Sequence, residues 1–168
     1  MPLLYIAAVI LAIALPPYTV GAQLDPANLK DIKSVSVILD LNAKDVDDNF
    51  DESALRTAIE LRCRQNGLTV VSPSDTTTAP DAFITYEALA MWNMDKTQRI
   101  HYSRLYLDAI ARTTRLSSPR AVFGTLWSSG GSIGYAGRDH AFSKVLREAA
   151  EQATDKFLNT YLSVNPKK

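Results

Sequence analysis

Between Asp139 and Ser163, apolar residues recur at three- and four-residue spacing: Phe142, Val145, Leu146, Ala149, Ala153, Phe157 and Tyr161. Lys144, Arg147, Glu148, Glu151, Asp155 and Asn159 fill the positions between them. At 3.6 residues per turn this pattern lays one apolar stripe along a helix. Asp139 is placed to cap the first turn, since its carboxylate can accept a free N–H there. Pro166 ends the helix by pushing Asn165 out of helical geometry. Burying such a stripe is worth on the order of 10 kcal/mol before entropy is subtracted, so the rest of the chain must supply a flat apolar partner.

That partner is legible as strands. Val35, Val37, Leu39 and Leu41 alternate with Ser34, Ser36 and Asp40, the period of a half-buried strand. Asp51 to Asn66 reads as a second helix with Leu55, Ala58, Ile59 and Cys63 on its apolar face, closed by Gly67 with Leu68 behind it. Leu68 to Val71 is a short strand, and Ser72 to Asp81, with its prolines and threonines, is a loop. Three longer strands follow, Ala82 to Trp92, Ile100 to Arg112 and Arg120 to Trp127, joined by turns short enough to require an antiparallel meander. Ser128 to Arg138, with four glycines, reads as a loop. The order β-α-β-β-β-β-α predicts an α+β two-layer sandwich, with about five mostly antiparallel strands and two helices on one face.

Alternation also assigns the sheet face that the helices leave open. Leu105, Leu107, Ala109 and Ala111 suit the core, as do Ile84, Tyr86, Ala88 and Ala90, and then Val122, Gly124 and Leu126. The opposite face gathers Tyr102, Tyr106, Phe123 and Trp127 around Arg104 and Glu87. Aromatics with an arginine are the composition of interface hot spots, and these six residues are the candidate binding surface.

Composition narrows the class. The chain has 168 residues, 46% hydrophobic and 21% charged, which suits one domain with a proper core. Eighteen basic residues balance eighteen acidic ones, an argument against nucleic acid as a partner. Leu3 to Leu15 is an uninterrupted apolar run, followed by Pro16-Pro17 and the small tripeptide Val20-Gly21-Ala22. This predicts a signal peptide over residues 1–22, cut before Gln23, although no Lys or Arg precedes the run. Residues 23–33 are then a polar lead-in and 34–165 a single domain. No Cys follows the apolar run, so a periplasmic or secreted protein is expected rather than a lipoprotein. The only cysteine, Cys63, lies on a helical apolar face and reads as a buried, inert thiol.

Motifs with catalytic potential are few. Gly130 and Gly131 with Gly134, Gly137 and Arg138 precede a helix, and a loop of free N–H groups there would attract an anion; Gly131, Gly134, Gly137 and Arg138 are the candidate anion ligands. The phosphate-loop and dinucleotide spacings are absent, so a plain connection is the favoured reading. Asp139-His140 with Ser132 could form a hydrolase trio, yet no G-x-S-x-G motif accompanies them. His101 and His140 fit no zinc spacing, so neither metal nor cofactor is expected. The acidic stretch Asp45, Asp47, Asp48, Asp51 fails as a calcium loop, because Phe50 replaces the turn glycine and Arg56 the closing glutamate. Lys96, Arg99, Arg104, Arg112, Arg115 and Arg120 cluster around the second meander strand, either as a guarded edge or as a surface for an acidic partner.

Strand Val35–Leu41, helix Ser53–Gly67, the meander and helix Phe142–Tyr161 together resemble the small α/β domains of bacterial envelope proteins, such as the amino-terminal domain of TolB and LptE. The resemblance lies in element order, and it implies an envelope accessory or binding protein rather than an enzyme. The expected function is therefore non-catalytic binding in the cell envelope, with an envelope protein or a second copy as partner and anionic lipid or glycan as alternatives. The rival classes are a small hydrolase or anion-binding enzyme built on the glycine-rich stretch and His140, and a structural homo-oligomer.

Overall fold

The computed structural model describes residues 25–42, 50–75, 77–113, 120–137 and 142–166, with side chains throughout except at 110–113 and 120–123. Strand β1 (Ser34–Asn42), helix α1 (Glu52–Gln65), strands β2 (Thr69–Val70), β3 (Ala82–Trp92), β4 (Gln98–Thr113), β5 (Arg120–Ser128) and β6 (Ser132–Gly137), and helix α2 (Phe142–Val164) follow in that order. The sheet runs β2-β1-β3-β4-β5, and β6 pairs with β4 beside β5. Both helices pack on one face, giving the expected α+β two-layer arrangement. β3, β4 and β5 form the antiparallel meander. β1, however, sits inside the sheet and runs parallel to both β2 and β3.

Helix α1 begins where the Asp51 carboxylate accepts the Ala54 N–H at 2.9 Å. It ends in a Schellman turn: Gly67 takes φ +88°, its N–H reaches the Arg64 carbonyl, and the Leu68 N–H reaches the Cys63 carbonyl. Leu55, Ile59 and Cys63 are buried as the periodicity requires. Helix α2 buries Phe142, Leu146, Phe157 and Tyr161 from the predicted stripe, but also Ala150, Thr154 and Leu158. Thr154 is tolerated there because its hydroxyl donates to the Ala150 carbonyl at 2.7 Å, leaving its methyl to the core. Arg62 ties the two helices together through Glu151 (3.0 Å) and Asp155 (3.2 Å). Below them, the Tyr86 hydroxyl donates to the Leu146 carbonyl at 3.2 Å.

The polar lead-in contributes to the core. Pro26–Leu29 forms a 3-10 turn whose Leu29 is fully buried against α2 and β5. Asn165 donates to the Leu29 carbonyl at 2.9 Å, and the Tyr161 hydroxyl to the Ile32 carbonyl at 3.0 Å. Asp81 then fixes the entry to β1. Its carboxylate accepts the N–H groups of Lys33 (2.9 Å) and Ser34 (2.8 Å), and these bonds, that from Lys33 first, hold its pKa below the usual carboxylate value.

The largest departure from the sequence expectation is at the far edge. Ser132–Gly137 is a strand, not a loop. β5 and β6 run in the same direction along one side of β4 and are two parts of one interrupted strand. Each interruption inserts one residue. Leu107 faces Trp127 and Asp108 faces Thr125, which leaves Leu126 without an opposite number. Tyr106 faces Ser128 and Ser103 faces Ser132, so four steps (128 to 132) match three on β4 (106 to 103). Gly130, at φ +76°, supplies the left-handed residue for this second bulge. One inserted residue reverses which face every following side chain takes, and the second insertion restores it.

Candidate functional site

The open face can be followed row by row from the register. Asp40, Glu87 and Arg104 form one row; Asn42, Leu89, Tyr102 and Ile133 the next; Met91, Ile100 and Tyr135 the last. On the other side of the charged row stand Ile38, Thr85, Tyr106 and Ser128. Arg104 and Glu87, directly opposite in register, are joined at 2.6 Å, and the guanidinium lies 5.0 Å from the Tyr106 ring centroid. The Glu87 bond raises the Arg104 pKa. Both groups are partly in solvent, so the pair contributes about 1 kcal/mol or less. Burial raises the Tyr106 pKa, and Asp108 accepts the Thr125 hydroxyl at 2.7 Å.

Beyond this charged row the face turns apolar. Leu89 is 41% exposed, Met91 61%, Ile133 66% and Tyr135 66%, and Met94 in the β3–β4 turn projects fully at the same end. These side chains are neighbours across β3, β4 and β6, with the half-buried Ile100 and Tyr102 between them. Contiguous exposed apolar patches are uncommon on soluble proteins and commonly mark sites of interaction.

Four of the six expected surface residues, Tyr102, Arg104, Tyr106 and Glu87, stand on this face. Trp127 does not. It is 6% exposed on the helix-covered side and meets Phe157 edge-on at 5.4 Å, because the bulge at Leu126 reverses the alternation that placed it outside. Phe123 takes the register position opposite Ile110, and its side chain lies outside the described residues. Sequence reasoning missed Ile133 and Tyr135. Their alternation with Ser132, Gly134 and Ala136 was the available signal, obscured by the glycines.

Those glycines make room for rings. A Cβ on Gly134 would lie 2.3 Å from His101 Cε1, and one on Gly131 would lie 2.4 Å from Tyr102 Cε2. Consecutive β4 residues thus lay their rings over the neighbouring strand, one on each face of the sheet. Gly131, Gly134 and Gly137 therefore do not form the converging N–H loop expected of an anion site; Gly134 and Gly137 are strand residues opposite His101 and Gln98. Arg138, Asp139 and His140 lie outside the described residues.

Among the described residues, His101 and Cys63 are sequestered. His101 is buried with its ring edge-on to Phe142 at 5.8 Å, and burial lowers its pKa. Burial pushes the Cys63 thiol up to about 12, which removes its nucleophilic form at neutral pH. Among the described residues, no three His, Cys, Asp or Glu side chains gather as a metal site. The described members of the basic cluster stand apart. Arg104 is paired on the open face, Arg99 stacks 4.6 Å over Trp92 at a register position on the other face, and Lys96 sits in a turn. Arg115 lies outside the described residues, as do the side chains of Arg112 and Arg120. A shallow cleft of about 330 Å³ lies between the starts of the two helices, beside Asp51, Lys144 and Arg147, but the Asp51 carboxylate there is already engaged as the helix cap.

No family model matches this chain, and no curated protein matches it. Among solved structures it is similar to the PelC dodecamer from Paraburkholderia phytofirmans in two crystal forms. These have 10% and 9% identity and TM-scores of 0.42 and 0.41, covering 77% and 73% of this chain and 87% and 84% of the other. It is also similar to a protein described as a homolog of the neuraminyllactose-binding hemagglutinin, from Helicobacter pylori, at 12% identity and TM-score 0.39, covering 77% and 83%. The resemblance to TolB and LptE remains one of element order.

Proposed function

We propose that this is an exported, non-catalytic binding protein of the cell envelope that engages a protein partner through its open sheet face. The observation that carries this reading is the concentration of exposed Leu89, Met91, Ile133 and Tyr135 at one end of that face, bordered by the Glu87–Arg104 row. An apolar centre with a polar rim is the anatomy of a protein interface. A protein partner fits better than an anionic lipid, because the described ionised side chains on the face are Asp40, Glu87 and Asp108 against Arg104 alone.

Export predicts a mature protein beginning at Gln23, read by N-terminal sequencing of the envelope fraction. Recovery of the protein with Met1 in place would overturn it. The surface is tested by site-specific photo-crosslinking in cells. A photoreactive residue at Met91 should give one discrete protein adduct, whereas one at the exposed Asn159 on α2 should give none. Adducts from both sites, or from neither, would end the proposal.

A further inference from the structure

The outer edge of β6 is unlike the other sheet margin. Margins of monomeric sheets are guarded by charge, proline, bulges or brevity, because unpaired N–H and C=O groups invite another strand. β2 is only two residues long, and β5 carries the bulge at Leu126. Within β6 itself, beyond the bulge at Gly130 that precedes it, there is none of these defences. Ser132-Ile133-Gly134-Tyr135-Ala136-Gly137 contains no charge and no proline, and its pairing with β4 runs without a register shift. No described strand pairs with its outer side.

We propose that this edge pairs with the same edge of a second copy, antiparallel about a twofold axis centred on Gly134. The sequence is complementary to itself in that register. Gly134 meets Gly134 of the second copy, Ile133 meets its Tyr135, and Tyr135 meets its Ile133. The pairing preserves facing, so both Ile–Tyr pairs fall on the open face. Aromatic with β-branched is among the favourable cross-strand combinations. No like charges are brought together, because the strand has none. The facing glycines suit the other side, where each already lies under the ring of its own His101. A twofold contact of this kind is self-complementary and closes after two copies, so it yields a dimer and not a fibre. The joined sheets would carry two apolar patches side by side on one continuous face.

The test is a charge exchange followed by sedimentation equilibrium of the purified protein. Ile133→Lys with Tyr135→Lys places like charges opposite each other in the predicted register, and Ile133→Glu with Tyr135→Glu does the same with the other sign. All four changes are at positions about two-thirds exposed, so melting temperatures should stay near wild type. The wild type should be dimeric, each double variant should associate at least about tenfold more weakly, and an equimolar mixture of the two should restore dimers. A monomeric wild type, variants that dimerise on their own, or a mixture that stays monomeric would each overturn the proposal. Met91→Asp, on β3 and away from the edge, should leave the dimer intact while abolishing the photo-crosslinked adduct read from Leu89. Loss of the dimer in that variant would also count against edge pairing.

Discussion

Phe157→Asp unfolds the domain. Phe157 is fully buried between Trp127 (5.4 Å) and Tyr161 (6.1 Å), where α2 meets the sheet. A carboxylate there has neither water nor a cation, and holding it costs several kcal/mol in whichever protonation state it takes. The ring's own packing is lost as well, about 3–5 kcal/mol for a phenylalanine truncation. Together these are comparable to the whole of the roughly 5–15 kcal/mol that holds a typical domain. Asn159→Asp, two residues on and exposed, should move stability by no more than about 0.5 kcal/mol. Thermal melting followed by circular dichroism separates the two. A folded Phe157→Asp with a near-native melting temperature would mean that α2 presents another face to the sheet.

Trp127→Ala should cost about 3–5 kcal/mol, the range for removing a large buried ring. The expectation depends entirely on the inserted residue at Leu126. With unbroken alternation from Thr125, which is exposed on the open face, Trp127 would share that face and its removal would be nearly free. Tyr135→Ser is the matched control, since Tyr135 does occupy the open face, and it should cost about 1 kcal/mol or less. Denaturant midpoints for the two variants decide between the arrangements. Equal midpoints would place Trp127 outside and remove the bulge.

These two residues mark the boundary of what the sequence discloses. Phe157 was legible because a helix repeats its geometry every turn, so one stripe of seven residues fixes which side faces the sheet. Leu55, Ile59 and Cys63, with the Gly67 turn, were readable for the same reason. Alternation in a strand is more fragile, because one extra residue inverts everything after it, and no residue type announces the insertion at Leu126. In the sequence alone, the glycines of 130–137 read as freedom of the backbone. Gly131 and Gly134 are there because the Tyr102 and His101 rings occupy the space a Cβ would need, a contact between strands that local sequence does not encode. The place of β1 inside the sheet, parallel to β3, was equally hidden, because it depends on pairing across a long intervening segment. Of the candidate surface, Glu87, Tyr102, Arg104 and Tyr106 were legible in the pattern, Leu89 and Met91 did not stand out from it, and Ile133 and Tyr135 waited for the strand itself.

The position of β1 gives the sheet two kinds of closure. The Glu87–Arg104 pairing joins residues 17 apart, while the Ser34–Asp81 contact joins residues 47 apart. Closing the longer loop costs roughly 1 kcal/mol more in chain entropy, since that cost grows with the logarithm of length. The β3–β4 ribbon can therefore form early, and β1 docks against a template that already exists. Its arrival gives α1 a strand to pack on beside α2, while the 3-10 turn at Leu29 docks on α2 and β5. The chain thus assembles from its middle outward, and the amides of β3 and β4 should be the last to exchange their hydrogens with solvent.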